Sequence, residues 1–118
     1  MEKDLAVRTK KFALRIIKSY AALPKREEAR IIGRQLLRSG TSIGANYREG
    51  QQARSHAEFV AKLGNCLQEA DETIYWLELL VEGEIVAASK LNGLLSEARE
   101  LTAIFVTSLK TARSRPGK

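Results

Sequence analysis

The side chains of this 118-residue chain with the most chemical potential are few: His56, Cys66, and the carboxylates Glu69, Glu72 and Glu78. Carboxylates spaced like these invite comparison with di-iron helical bundles, but those need a Glu-x-x-His element on two helices, and His56 is the only histidine. His56 follows Ser55 at the start of an apolar-periodic segment, with no carboxylate in a triad-like context, and reads as a surface histidine of a capping region. Cys66 falls in an apolar stripe and reads as a small core residue; alone, it has no internal disulfide partner. The Gly40-x-x-x-Gly44 segment lacks both the Lys-Ser/Thr of a phosphate loop and the Gly-x-Gly-x-x-Gly of a dinucleotide site. The expectation is a protein with no catalytic residues, no metal and no cofactor: not an enzyme.

Charge is the more informative chemistry. The formal net charge is +6, unevenly divided: residues 1–54 hold 13 Lys+Arg against 5 Asp+Glu, and residues 55–118 hold 7 against 9. A basic excess of this kind attracts nucleic acid, an anionic membrane surface, or an acidic patch on a protein. Arg8, Lys11, Arg15 and Lys18 recur at helical spacing in the first segment, and Arg26, Arg30, Arg34 and Arg38 step by four in the second. Aromatic residues do not interleave with these rows as a single-strand stacking platform requires, so binding to RNA or DNA would be phosphate-directed and weak in sequence preference.

The elements that carry these residues follow from period. Leu5, Thr9, Phe12, Ile16, Tyr20 and Leu23 mark one face of a first helix, from Leu5 to Ala22, capped by Asp4 and stopped by Pro24. Ala29, Ile32, Leu36, Ser39, Ile43 and Tyr47 mark a second, with Glu27 and Glu28 in its first turn and Gly50 as its C-cap. Gly33, Gly40 and Gly44 weaken it locally, but the apolar phase runs through them unbroken, which marks them as places where another helix comes close. Ser55 and Glu58 have the spacing of a capping box for a third helix, with Phe59, Leu63, Cys66, Ala70, Ile74, Leu77 and Val81 inward and Gly83 at its end. A fourth begins between Glu84 and Ser89 and frays into a tail over 113–118. The class is all-α, a single domain over residues 1–118 folded as an antiparallel up-down-up-down four-helix bundle. With no signal-like start at Met1-Glu2-Lys3-Asp4 and no spanning apolar run, the chain reads as a soluble, bacterial-type cytoplasmic protein without membrane association.

Two surfaces lie outside the core stripes. Tyr75, Trp76 and Leu79, with Glu72 among them, form a second apolar flank on helix 3 and read as a subunit interface, since aromatic residues are enriched where association buries surface. The two basic rows point away from the core and overlap in height across Pro24, while helix 3 carries six acids against Lys62 alone. Pairing helices 2 and 3 antiparallel brings Arg38 level with Leu67 to Glu69, where an ion pair with Glu69 or Glu72 would fix register or join subunits, and Asn46 level with Phe59. Arg38, Asn46 and Glu69 are thus structural polar residues.

Arg38-Ser39, Thr41-Ser42-Ile43-Gly44-Ala45-Asn46-Tyr47-Arg48-Glu49, Glu58-Phe59, Lys62-Leu63 and Glu69-Ala70-Asp71-Glu72-Thr73 with Tyr75-Trp76-Leu77-Glu78-Leu79-Leu80 closely resemble the intervening-sequence proteins whose founding members are encoded in insertions of bacterial 23S ribosomal RNA genes. The match covers helices 2 and 3; Ile85 to Lys90 departs from the usual start of the last helix. The resemblance implies a four-helix bundle assembled as a homopentameric ring. A related branch, the accessory variability protein of diversity-generating retroelements, is a basic pentamer that associates with nucleic acid and a reverse transcriptase. The expectation is a homo-oligomeric scaffold that binds nucleic acid through basic helices 1 and 2. The alternative is an assembly or protein-interaction module in which the basic rows meet an acidic neighbour or partner.

Overall fold

The computed structural model describes residues 4–115, which form four α-helices and, among the described residues, no strand: α1 Leu5–Ala21, α2 Glu27–Gln51, α3 His56–Glu82 and α4 Ala88–Ser114. The caps are those that the sequence implies. Asp4 accepts hydrogen bonds from the backbone N–H groups of Ala6 (2.9 Å) and Val7 (3.4 Å), and Ser55 Oγ accepts from Glu58 N–H (3.1 Å). Glu58 Oε2 in turn accepts from Arg54 N–H, one residue earlier than a capping box places it.

Two ends differ from expectation. Gly50 does not stop α2; it lies buried inside the last turn, 3.2 Å from Lys62 Cβ when a Cβ is built on it, so its missing side chain lets α3 approach. The fourth helix continues through Arg113 and Ser114 with Arg115 as its cap, so fraying does not begin at Arg113; the rest of the tail, 116–118, and the first three residues lie outside the described residues. The glycine-bearing middle of α2 is helical throughout. A Cβ on Gly40 would stand 2.8 Å from Ile16 Cγ1, and one on Gly44 would stand 3.2 Å from Thr9 Oγ1, so these positions admit α1 against the α2 backbone.

Each helix packs on its neighbours in sequence, and α1 and α4 touch only slightly. Phe12, Ile16, Leu36, Ile43, Leu77, Leu80, Leu101 and Phe105 are sealed from solvent at the centre. Between α2 and α3 the contacts Glu49–Lys62, Asn46–Asn65, Ser39–Thr73 and Arg38–Glu72 run in opposite directions along the chain. That register sets Asn46 level with Asn65, not with Phe59, because the first turn of α3 overhangs the end of α2. The result is a rod of 51 × 23 × 21 Å.

Candidate charged surfaces and subunit interface

Of the eight basic candidates, Arg8 is not a surface group. Only 7% of it is exposed, and its guanidinium reaches across to α4: Nε donates to Glu97 Oε2 (2.6 Å), Nη2 to Glu97 Oε1 (2.7 Å) and to Glu100 Oε1 (3.0 Å). The hydrogen bonds to Glu97 hold its pKa above the ordinary arginine value, against the opposing effect of burial. At about 100° per residue, Arg8 lies about 60° from the centre of the α1 core stripe, whereas Lys11 and Lys18 lie about 120° or more from it. That proximity was the available signal; the partners, nearly ninety residues on, had none.

The remaining basic residues stay exposed, but on two separate faces. Arg15 and Lys18 lie toward α4: a Cβ on Gly93 would meet Arg15 Nη2 at 3.0 Å, and Lys18 borders a hollow with Lys90. Lys11 is exposed on the same side of α1. Arg26, Arg30, Arg34 and Arg38 are exposed along α2. Between the two rows runs the outward face of α1, and apart from Lys10 it is apolar: Val7, Leu14 and Ile17 are 39%, 56% and 47% exposed. The sequence reading missed this face because Phe12 and Ile16 already supply a complete inward stripe. Leu14 and Ile17 point the other way, and their spacing was the signal.

Arg38 forms the expected tie to α3. Nη1 donates to Glu69 Oε1 (3.1 Å) and Nη2 to Glu72 Oε2 (2.9 Å). The hydrogen bond from Arg38 lowers the Glu72 pKa, while burial raises that of Glu69, so one guanidinium serves two carboxylates in unlike surroundings. Asn46 Nδ2 donates to Ser42 O (2.9 Å), and its Oδ1 accepts from Asn65 Nδ2 (3.4 Å), a second polar tie between the helices. Below them Thr73 Oγ1 donates to Ser39 Oγ (2.9 Å) where both residues are fully buried.

The aromatic flank divides. Tyr75 is 54% exposed, but Trp76 and Leu79 are half-buried by the protomer itself, and Trp76 Nε1 is covered without an acceptor among the described residues. Trp76 packs against the core with Tyr75 edge-on to it, ring centroids 5.0 Å apart. The exposed apolar member sequence reasoning missed is Ile31 of α2, 53% exposed. Carrying the Ser39–Thr73 register up the helices puts Ile31 at the level of Val81, on the same flank as Tyr75 but about 9 Å from it along the axis.

His56 is half-buried, not a surface histidine. Its Nε2 faces the Ala112 carbonyl at 2.8 Å, and since a carbonyl only accepts, Nε2 carries the proton and ties α3 to α4. It borders an open hollow with Leu5, Tyr47 and Arg115. Burial pushes the Cys66 thiol up to about 12, so it is no thiolate nucleophile near neutral pH.

Residues 2–107 match the family described as 23S rRNA-intervening sequence protein. The chain belongs to that family. Among solved structures, a protein of unknown function from the S23 ribosomal protein family of Bacteroides thetaiotaomicron is similar at 38% sequence identity and a TM-score of 0.83, the match covering 89% of this chain and 97% of that one. A comparison with curated proteins found no match. The intervening-sequence family thus accounts for the four helices and for the α2–α3 residues on which the resemblance was read. No helix of the described residues is long and apolar enough to cross a membrane.

Proposed function

We propose that this chain is a non-enzymatic, homo-oligomeric scaffold: an up-down-up-down bundle that assembles as a pentameric ring and carries nucleic acid on its basic surface. The observation that supports phosphate binding is that Arg15, Lys18, Arg30 and Arg34 are all exposed and make no ion pair with a carboxylate among the described residues. Arg8 and Arg38 are excluded from that role, because their guanidinium groups are engaged by Glu97 and Glu100 and by Glu69 and Glu72. Exposed cations in rows, without aromatic platforms between them, bind polyphosphate backbones through counterion release and read little sequence.

The test is RNA affinity as a function of salt. The wild type binds at low salt with a steep negative slope of log K against log salt, and Arg30→Gln with Arg34→Gln makes that slope shallower by about 2, roughly 0.9 for each duplex phosphate no longer neutralised. A slope unchanged by these substitutions, or no affinity at low salt, removes nucleic acid from the proposal. The assembly reading keeps support from the charge contrast between α1, which has basic residues and no acid, and α3, with six acids against Lys62.

A further inference from the structure

We infer that the outward apolar face of α1 docks on the α2–α3 flank of a second copy of this chain, making a head-to-tail contact between two unlike surfaces. The inference rests on the homo-oligomer reading and specifies which faces meet.

Among the described residues, two exposed apolar patches have complementary chemistry. On α1, Val7, Leu14 and Ile17 line the face opposite the core, with Lys10 set among them and Lys18 on one border; the helix has no acidic residue. On the α2–α3 flank, Ile31 and Tyr75 stand out beside half-buried Leu79. Here the border carries more acid than base: Glu27 and Glu28 in the first turn of α2, and Asp71 and Glu82 on α3, against Arg34 one turn from Ile31. Asp71 and Glu82 make no ion pair among the described residues, while the nearby cation Arg38 is already held by Glu69 and Glu72.

The charge pattern selects the pairing. Face-to-face association of two α1 helices would bring lysines together around the apolar strip, and self-pairing of the α2–α3 flank would bring carboxylates together, both unfavourable. Docking α1 on the flank covers apolar area on both sides and sets lysines against acids at the rim, the usual anatomy of a specific interface. Because the two surfaces belong to different parts of one protomer, each copy offers one of each. Such a heterologous contact propagates and closes into a ring when the rotation permits. Arg30, turned about 100° around α2 from Ile31, remains free for phosphate, while Arg34, three residues on from Ile31, borders the contact.

The experiment uses the full chain, freed of nucleic acid by nuclease and high salt, with mass read by light scattering. Leu14→Glu with Ile17→Glu removes one face; Tyr75→Lys with Ile31→Lys removes the other. Each variant alone is expected at the 13.1 kDa monomer mass. Mixed in equal amounts they are expected to form a 1:1 dimer and nothing larger, because each contributes one intact face; the dimer also proves that both variants fold. Retention of wild-type mass by either variant, or failure of two folded variants to dimerise, overturns the inference while leaving homo-oligomerisation in place. A wild type that is monomeric throughout overturns the underlying reading instead. If the α1 variant keeps its oligomer but loses co-sedimentation with anionic phosphatidylglycerol vesicles, the α1 face serves a lipid surface and the inference fails.

Discussion

Substituting Arg8 with methionine tests whether this residue belongs to the fold or to the basic surface. In the structure it makes three charge-assisted hydrogen bonds, two to Glu97, whose side chain is only 17% exposed, and one to Glu100, which is 46% exposed. Removing one partner of a buried ion pair costs about 3–5 kcal/mol, because the other charge is left without compensation. The half-exposed Glu100 recovers water, so the expected loss here is about 2–4 kcal/mol. A chain of this length unfolds with an entropy of about 0.25 kcal/mol/K, so each kcal/mol moves Tm by about 4 °C and the variant should melt about 8–16 °C below wild type. The contact between α1 and α4 is otherwise slight, so the loss should appear as earlier hydrogen exchange in α1. Replacing the pair together, Arg8→Met with Glu97→Leu, should restore stability to within about 1 kcal/mol, since an apolar pair of similar volume needs no desolvated charge. The assays are calorimetry for stability and a salt titration of RNA binding for function, and the RNA slope should be unchanged by Arg8→Met. A Tm shift under about 2 °C, or a slope reduced as much as by Lys18→Gln, would refute the assignment of Arg8 to the fold.

Other consequences follow from individual contacts. Gly40→Ala and Gly64→Ala should move stability in opposite directions by about 1 kcal/mol: a Cβ at Gly40 meets the branched carbons of sealed Ile16 at 2.8–2.9 Å, whereas at Gly64 nothing lies within 4 Å and only the helix propensity of alanine is gained. Urea unfolding gives both signs, and a stabilised Gly40→Ala would contradict close packing there. Glu72→Gln should cost about 0.5–1 kcal/mol at pH 7, discounted because the pair is half-exposed. The Glu72 pKa is lowered in the folded state, so its contribution is present above the ordinary carboxylate range, near 4.5, and fades as pH falls through the folded value. Stability curves of variant and wild type should therefore converge in acid, and a difference that persists below about pH 2 would count against the ion pair. Cys66 should resist alkylation by iodoacetamide at pH 8 until the chain unfolds; rapid modification of the native protein would contradict its burial.

The fold was legible because the inward stripes are strong and consistent. Phe12 and Ile16, Leu36 and Ile43, and Leu63 through Leu77 each keep a helical period, and the glycines of α2 did not break it, since Gly40 and Gly44 sit where Ile16 and Thr9 come close. The tie from Arg38 to Glu69 and Glu72 was also legible, because helix pairing alone brings them near. What escaped depended on contacts distant in sequence or on two faces of one helix. Arg8 looked like its neighbours Lys11, Arg15 and Lys18 until α4 supplied Glu97, and His56 looked superficial until Ala112 supplied a carbonyl. Trp76 looked free because it lies off the α3 stripe, but its place on the α2 side of the helix lets the protomer cover its ring nitrogen. Val7, Leu14 and Ile17 escaped because a helix with one complete apolar face does not advertise a second.

Native mass spectrometry of the nuclease-treated chain, sprayed from neutral volatile buffer at micromolar concentration, counts the subunits, and subunit number separates a ring-forming scaffold from a solitary bundle. A single dominant species at five times 13.1 kDa is expected, and a 13.1 kDa monomer at every concentration tried would contradict the scaffold.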